Sequence, residues 1–530
     1  MRRNDAVKPV AHRKDPTNTG NNRTPGARAT PARGSNVVHW GPWRAILLTA
    51  SMLVIVLSIF QILIPSRVSP YWSTEVAVVC VLWGGCYLLC SYAQFQTLYL
   101  FTSAFILPLC LFHLGITIPY GFGWLKDDQW TNSSLAPWLQ LAGWYVALTL
   151  GCIGLGFALS LKRARFRRDR LAVAPEVARD TAATAFQDGI GFLLASGVFL
   201  GMAIYSFGNL LAYSRVQFFA GVGDTRGLGV FMMVFPTASI LLVIGARTSF
   251  QKLLAGGTAL FAFLFFLFSG YRSWAFFPAL VGVVLWVKNG RKIPIWLASL
   301  AVVLVLFAIP VAGMLRNMGP YDKLNQSDLD TSVKHTSIDK ALLEMGQTAG
   351  ILANVLRLIP ATESYRYGMT YFEALRNSIP NVMPKMQASQ RKKAEEKAMF
   401  DPSAINEMIP SDWLTYRLEP NKFDEGQGVG FSAIGEPYMN FGLPGVVVFF
   451  IFLGWVLGRL DAVNLRTRPN LMVLSAIAIW PLLTLVRNDF GNFSKPVTFM
   501  LITLGIWRYA MRFVSRRRLR RHGVRSANVQ

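Results

Sequence analysis

Residues 437–458 read PYMNFGLPGVVVFFIFLGWVLG, 22 positions without a single charged side chain. A helix of about 20 apolar residues is long enough to cross a hydrocarbon core roughly 30 Å thick. Comparable runs, separated by short polar breaks, follow one another between residues 45 and 511. The sequence therefore predicts an all-α integral membrane protein that crosses the bilayer many times.

The composition supports this fold class. Of the 530 residues, 53% are hydrophobic and only 15% are charged, whereas soluble globular proteins carry about a quarter of their residues as charged ones. A soluble enzyme is therefore excluded. Disorder of the whole chain is excluded as well, because the apolar residues are grouped in long runs.

We predict about twelve membrane spans from the length of these runs. Their bounds are 45–64, 75–92, 98–118, 137–161, 190–212, 228–246, 253–270, 274–287, 294–315, 437–458, 471–486 and 496–511. The seventh and eighth spans are separated by the polar break Ser269-Gly270-Tyr271-Arg272-Ser273. This break could instead interrupt one longer or re-entrant helix.

The spans divide the chain into five regions. These are a disordered basic tail (1–44), spans one to nine (45–315), one large, partly helical extracytoplasmic loop (316–436), spans ten to twelve (437–511) and a second basic tail (512–530). Within the loop, apolar residues recur at helical spacing over 338–360, namely at Ile338, Leu342, Met345, Ala349, Leu352, Val355, Leu356 and Ile359. That helix face could lie on the membrane surface or cover a cavity.

The net charge of +25 is distributed unevenly. Of the 53 lysines and arginines, 31 lie in the two tails and in the segments 162–189, 247–252, 288–293 and 459–470, whereas the large loop holds 14 basic and 16 acidic residues. Basic segments stay on the cytoplasmic side of a membrane, so both termini are predicted to be cytoplasmic. We expect the basic tails to contact anionic lipid headgroups rather than nucleic acid.

No metal or cofactor site is predicted. The five cysteines lie inside apolar runs of the first third of the chain, and none has the spacing of a metal site or a disulfide framework. The glycine-rich stretch 426–430 follows no strand and precedes no Lys-Ser or Lys-Thr pair, so it is not a nucleotide-phosphate loop.

Ionisable residues at the outer ends of the predicted helices are the candidate functional residues, because such groups near membrane depth are costly and tend to line cavities. They are Arg215, Asp224, Arg226, Arg272, Arg316, Glu363, Arg366, Glu436, Arg487 and Asp489. Arginine binds phosphate through a planar fork of donors and keeps its charge, so this set suits a lipid-linked phosphate or pyrophosphate. Alternatively, each arginine reaches towards lipid headgroups or caps a helix.

Other candidates have simpler interpretations. His335, within Lys334-His335-Thr336, is expected in a solvated turn, although a catalytic base is conceivable there. Asp127 and Asp128, in the 119–136 segment, could form a base or a metal site, although a surface loop is the simpler interpretation.

Short motifs in the second half of the chain resemble a known family. The run from Gly428 to Gly445, with Phe431-Ser432, Ile434-Gly435-Glu436 and Asn440-Phe441-Gly442, resembles the O-antigen or oligosaccharide repeat-unit polymerases of the Wzy type. Further matching pieces are Phe268-Ser269-Gly270-Tyr271-Arg272-Ser273, Tyr365-Arg366-Tyr367-Gly368-Met369-Thr370-Tyr371 with Ile379-Pro380, and Val486-Arg487-Asn488-Asp489-Phe490. After Pro380 the chain has Asn381 where an arginine is more usual in the family.

The resemblance implies a metal-independent glycosyltransferase of the bacterial cytoplasmic membrane that joins undecaprenyl-pyrophosphate-linked repeat units on the periplasmic face. A hydroxyl of one unit would attack the anomeric carbon of another and displace the lipid pyrophosphate, with no cofactor or ATP. The resemblance also implies membrane lipids, a chain-length regulator and a flippase as partners.

The same resemblance suggests roles for the candidate residues. Arg272, Arg316 and Arg487 would hold the pyrophosphate, and Arg215 and Arg226 would line the glycan entrance. Glu436 is the favoured base over Asp224 or Asp489, and both aspartates, with Arg366 and Tyr438, would contact substrate.

Three other functions remain open at this stage. A ligase that transfers finished polymer to an acceptor would use the same donor and would depend on a histidine in the large loop. In that loop, His335 is the histidine that could serve. A secondary transporter also fits twelve spans, although no matching pair of broken helices is evident. A non-enzymatic partner in polysaccharide export is the third alternative.

Overall fold

The computed structural model describes residues 41–64, 69–124, 134–161, 175–207, 228–269, 271–294, 296, 343, 345–379, 408–424 and 428–527. Within these ranges the regular secondary structure is helical and contains no strand. The N-terminal tail to residue 40, nearly all of the predicted span 294–315 and much of the 316–436 loop lie outside the described residues.

Sixteen α-helices are described in these ranges. They are α1 (Gly41–Leu63), α2 (Trp72–Phe95), α3 (Phe101–Leu114), α4 (Thr117–Gly121), α5 (Ala136–Ser160), α6 (Pro175–Phe207), α7 (Leu228–Gly245), α8 (Ser249–Phe268), α9 (Arg272–Lys288), α10 (Thr348–Leu358), α11 (Met369–Ser378), α12 (Pro410–Leu418), α13 (Pro420–Asp424), α14 (Gly435–Ala462), α15 (Pro469–Thr484) and α16 (Gly491–Ala527). Short 3-10 turns at Leu465–Thr467 and Leu485–Arg487 flank α15.

Eight of the described helices are long and apolar enough to cross a membrane, namely α1, α2, α5, α6, α8, α14, α15 and α16. The predicted all-helical, multi-span class is therefore confirmed, while the number twelve and the single large loop stay predictions. The predicted break before Arg272 is confirmed, because α8 ends at Phe268 and α9 begins at Arg272.

Three predicted boundaries differ from the structure. The third span, 98–118, is interrupted after Leu114, where the chain around Gly346 packs against the backbone of Ile116. The fifth and twelfth spans extend well beyond 190–212 and 496–511 as α6 and α16. An ion pair between Asp188 and Arg508, 2.6 Å long, joins these two helices.

Helix α5 lies at the centre of the bundle, and most of its side chains are buried. It packs closely against α14, and each helix places a glycine against the backbone of the other. A Cβ added at Gly156 would clash with the Ile451 carbonyl, and one added at Gly454 would clash with the Ile153 carbonyl. Small residues allow membrane helices to approach in this way. The α5–α14 pair therefore forms the scaffold that carries residue 436.

The apolar face predicted within the loop is buried at each of its described positions. Met345, Ala349, Leu352 and Val355 are at most 6% exposed, and α10 packs against α3, α5 and α14. This segment therefore covers the bundle.

A buried ion pair joins three helices at the far end of α14. Asp461, which is fully buried, accepts hydrogen bonds from the backbone N–H groups of Phe101 and Thr102 at 2.8 and 3.0 Å. Its carboxylate also lies 3.0 Å from the Lys288 ammonium at the end of α9. One carboxylate thus caps α3 and neutralises a nearly buried lysine.

We expect Asp461→Ala to destabilise the protein strongly, because it leaves Lys288 buried without its carboxylate and α3 without its cap. Removing one partner of a buried ion pair costs about 3–5 kcal/mol. Thermal unfolding in lipid nanodiscs measures the effect, with Asp180→Ala, at an exposed position of α6, as the control. Equal melting temperatures for the two variants would contradict this role.

Candidate functional site

Helix α14 is interrupted about two turns after its start. Gly442 has φ 64° and ψ −151°, and Pro444 follows two residues later. Proline has no N–H to offer the carbonyl four residues back and clashes with it, which frees the carbonyl of Asn440. A side chain at Gly442 would be strained by the positive φ and would contact the Tyr365 ring.

The loop segment 366–368 pairs with the backbone that the interruption frees. The N–H of Arg366 donates to the carbonyl of Met439, and the N–H of Tyr367 donates to that of Asn440, both at 3.0 Å. The Asn440 side chain accepts from the N–H of Gly368 at 2.8 Å. Since buried backbone groups must be paired, the broken helix fixes this part of the loop.

Arg366 is buried against the chain preceding α12. Its Nη1 donates to the Met408 carbonyl at 2.9 Å, and its guanidinium lies 5.2 Å from the centroid of the Trp413 ring. Burial lowers the pKa of Arg366 to about 10, although Glu363 and Glu436 oppose this shift. The arginine therefore stays charged at neutral pH.

Glu436 lies in the first turn of α14 and is 3% exposed. Its Oε1 accepts a hydrogen bond from the Thr370 hydroxyl at 2.9 Å, and its Oε2 accepts one from the Phe490 N–H at 2.6 Å. The Asn440 amide also donates to Thr370, at 2.6 Å. One carboxylate thus connects α14, the start of α11 and the segment after α15.

Asp489 connects a further pair of segments. It is fully buried, and its Oδ2 accepts from the N–H of Ser411 in α12 at 3.2 Å. Its Oδ1 accepts from the side chain of Asn492 at 3.0 Å. The two carboxylates therefore hold four stretches of chain at one end of the bundle.

Arg487 is half-buried beside the glycine-rich loop that precedes α14. Its carbonyl accepts the N–H of Phe431 at 2.9 Å, and its guanidinium lies 5.7 Å from the centroid of the Phe112 ring. Gly430 has φ 85°, and a Cβ there would lie 3.0 Å from the Arg487 carbonyl oxygen. The close approach explains the glycine at this position.

The start of α14 is held by a histidine from α3. The Ser432 hydroxyl oxygen accepts from the N–H of Ile434 at 3.2 Å, and the hydroxyl lies 2.9 Å from Nε2 of His113. Nδ1 of His113 lies 3.2 Å from the Leu109 carbonyl. If Nδ1 of His113 carries the proton, Nε2 accepts a hydrogen bond from the Ser432 hydroxyl. Each group in this series of hydrogen bonds is then paired.

Arg272, at the first position of α9, is half-buried at the same end of the bundle as Arg487. Trp274 packs on Trp480 of α15, with ring centroids 5.1 Å apart. Further along α9, Phe277 contacts the Phe112 ring that Arg487 covers, at 6.5 Å. Aromatic contacts therefore connect the helices that carry the two arginines.

Tyr438 has a positioning contact in the structure. Its hydroxyl donates to the carbonyl of Ile359 at 3.1 Å, and its ring meets those of Tyr145 and Tyr365 edge-on at 5.3 and 6.0 Å. It joins α14 to α5 and to the loop.

Of the remaining sequence candidates, Glu363 is described and contacts the Trp413 ring on which Arg366 lies. Arg215, Asp224, Arg226, Arg316, His335, Asp127 and Asp128 lie outside the described residues. Glu363 accepts from the Trp413 indole N–H at 2.7 Å and pairs with Arg417 at 2.6 Å.

Sequence reasoning missed several residues of the site, because their roles depend on partners distant in the chain. These are His113, Thr370, Tyr371, Ser411, Ser432 and Asn440. Thr370, Tyr371, Ser432 and Asn440 lie in motifs that the sequence did single out, but nothing local distinguishes their roles.

Two buried donors in this region are unpaired. Within the described ranges, Nη2 of Arg366 and the Tyr371 hydroxyl have no hydrogen-bond partner. Burial and the nearby Glu436 raise the pKa of Tyr371, which keeps its hydroxyl a donor. No group of three metal-ligating side chains occurs in the part of the chain that the structure describes.

The model of the family described as O-antigen polysaccharide polymerase Wzy matches residues 46–517. The chain belongs to this family. The resemblance seen in the motifs is thereby confirmed, and both the carboxylate of Glu436 and the guanidinium of Arg487 lie within the matched range.

One curated relative is Protein CapE of Staphylococcus aureus, 26% identical over 230 residues. The match covers 43% of this chain and 44% of CapE, so the chain spans less than half the length of that relative. No solved structure matches the chain. The family assignment therefore depends on the match over 46–517.

We expect Glu436→Ala to lower stability and Glu436→Gln to lower it much less. Alanine leaves the Thr370 hydroxyl and the Phe490 N–H without acceptors, at about 1–3 kcal/mol for each buried group, whereas glutamine retains one acceptor and the side-chain volume. Thermal unfolding measures both, with Glu176→Ala at an exposed position of α6 as the control. Equal melting temperatures for Glu436→Ala and the control would contradict the connecting role.

Proposed function

We propose that this protein joins undecaprenyl-pyrophosphate-linked oligosaccharide repeat units into O-antigen or exopolysaccharide. The observation that carries the proposal is the family match over residues 46–517. The proposed location is the bacterial cytoplasmic membrane, with both termini in the cytoplasm and the Glu436 end of α14 at the periplasmic face. A chain-length regulator and a flippase are the proposed protein partners.

The distribution of charge along the bundle supports this orientation. Basic side chains collect at the Asp461 end of α14, where Lys288, Arg291, Arg459 and Arg466 lie at helix ends or in short connections. Such residues are enriched on the cytoplasmic side. The Glu436 end carries buried acidic and basic groups together, as a site for a polar substrate would.

The proposed reaction transfers one glycan to another. An acceptor hydroxyl oxygen bonds to the anomeric carbon of the donor, and the bond from that carbon to the pyrophosphate oxygen breaks. The lipid pyrophosphate leaves with the electron pair, and the hydroxyl proton passes to a carboxylate, for which we propose Glu436. Each carboxylate oxygen of Glu436 has a second lone pair beyond the one that Thr370 or Phe490 uses.

The arginines are proposed to bind the leaving group. Arg487 and Arg272 lie on helices in aromatic contact, and guanidinium groups stabilise the charge that develops on a pyrophosphate. Arg316 for the pyrophosphate, and Arg215, Arg226 and Asp224 for the glycan entrance, remain part of the proposal. Arg366, Asp489 and Tyr438 are proposed to shape the substrate site from within the protein.

Deletion of the gene in its host tests the proposed function directly. We expect polysaccharide, resolved on a gel that separates single repeat units, to change from a ladder to one unit attached to its acceptor. Long polymer that accumulates on the lipid carrier would instead indicate the ligase function, and an unchanged pattern would favour a transporter. Elongation of lipid-linked units by purified protein separates an enzyme from an assembly partner.

Complementation of the deletion with single variants tests the assigned residues. Arg487→Gln and Arg272→Gln are expected to reduce polymer by about 100-fold, the usual loss when one charge-stabilising group is removed. Glu436→Gln is expected to lose activity by about 100-fold or more if the carboxylate is the base. Arg459→Gln, exposed at the opposite end of α14, should retain the normal ladder.

Membrane abundance must be equal for all four variants in this comparison. Normal chain length and yield with both arginine variants would refute the pyrophosphate assignment. Normal polymer with Glu436→Gln would leave Glu436 as a connecting residue only.

A further inference from the structure

Helix α11, Met369–Ser378, shows the reverse of the pattern expected for a helix on a water-facing surface. Its buried residues are the small or polar Thr370, Ala374 and Ser378. Met369, Phe372, Leu375 and Ile379, the last being its C-terminal cap, are between 54% and 69% exposed. These four positions follow the spacing of one helical face, which we call the outer face of α11.

The inner face of α11 is fixed to the protein by polar contacts. The Ser378 hydroxyl lies 2.7 Å from the Ser494 hydroxyl of α16 and donates to the Ala374 carbonyl at 2.7 Å. At the other end, Thr370 donates to Glu436. The orientation of α11 is therefore set by bonds on its inner side, and the apolar residues are held outwards.

The outer face continues onto the exposed side of a membrane-spanning helix. Gly368, which precedes α11, lies against the Phe441 ring of α14, since a Cβ there would be 3.2 Å from it. Phe441, Val448 and Phe452 are 47%, 68% and 61% exposed along α14. Because α14 is a candidate span, these side chains face lipid, and the outer face of α11 extends the same surface.

We propose that α11 lies in the membrane–water interface with its outer face in the bilayer, so that membrane lipid is what covers Met369, Phe372, Leu375 and Ile379. A helix with one apolar face binds a bilayer in this way, with that face about 5–10 Å deep. Arg376 lies on the same side of the helix, between Phe372 and Met369; its side chain is 61% exposed and pairs with Glu373. From there its guanidinium reaches the headgroups while its stem stays in lipid.

The position of α11 places lipid next to the candidate site. The residue that contacts Glu436, Thr370, lies on the opposite side of the same helix, whose diameter with side chains is about 10–12 Å. The next step rests on the proposed function. A lipid-linked donor would reach the Glu436 carboxylate from the bilayer along α11, and its lipid would stay in the membrane.

Spin labels at single cysteines test the proposal without any assay of glycan synthesis. In the full chain with its five native cysteines replaced, Phe372→Cys and Leu375→Cys are labelled in lipid nanodiscs. Collision with oxygen, which concentrates in lipid, is compared with collision with a water-soluble nickel chelate. Val448→Cys on α14 is the lipid-facing reference, and Ala361→Cys, exposed in the turn between α10 and α11, is the water-facing control.

We expect the oxygen-to-nickel ratio at both α11 positions to match that of Val448→Cys and to exceed that of Ala361→Cys at least about threefold, as for a face immersed in acyl chains. A ratio equal to the water-facing control would overturn the proposal. Low access for both reagents would also overturn it, because another protein surface would then cover the helix. Each labelled variant must elute as a single species, which shows that these exposed positions tolerate cysteine.

If the gene deletion leaves polysaccharide unchanged while the labels report lipid, the proposed function fails and the interfacial helix stands. Labels that report water, together with a collapsed ladder, give the reverse result. The two proposals are therefore tested separately.

Discussion

The interruption of α14 at Gly442 and Pro444 is the constraint on which the candidate site depends. A helix that crosses a membrane must pair every backbone carbonyl that it frees. Here the freed groups of Met439 and Asn440 are paired by the N–H groups of the loop segment 366–368. The loop is thus held by backbone hydrogen bonds that the span itself requires, and Arg366 and Thr370 come to the same place as a consequence.

The two buried carboxylates add a second level of organisation. Glu436 accepts from Thr370 and from the Phe490 N–H, and Asp489 accepts from the Ser411 N–H. Under the proposed mechanism the same Glu436 oxygens would receive a proton, and a protonated oxygen is a weaker acceptor than an anionic one. Proton transfer would therefore loosen the contact of α14 with α11 or with the segment after α15, which couples the chemistry to the position of the loop.

The sequence predicted the elements that hydropathy alone determines. The all-helical membrane class, the break before Arg272 and the apolar helix face of the segment that forms α10 follow from runs and spacing. Helices α6 and α16 extend beyond the predicted spans, and the contact between them, Asp188 with Arg508, is too distant in the chain for the sequence to predict. Glu436 was identified as a candidate from its position at the start of a span. Its partners could not be predicted, because Thr370 and Phe490 are 66 and 54 residues away.

A site for lipid-linked sugars has to satisfy two solvents at once, since the glycan needs polar groups while the carrier lipid stays in hydrocarbon. Helix α11 has the composition that this requires on its two sides: Thr370 and Ser378 face the protein, and Phe372 and Leu375 face outwards. Each carrier methylene drawn out of hydrocarbon into water would cost about 0.8 kcal/mol. Under the two proposals, an amphipathic helix next to the Glu436 carboxylate would avoid that cost, because its apolar face is turned away from the core.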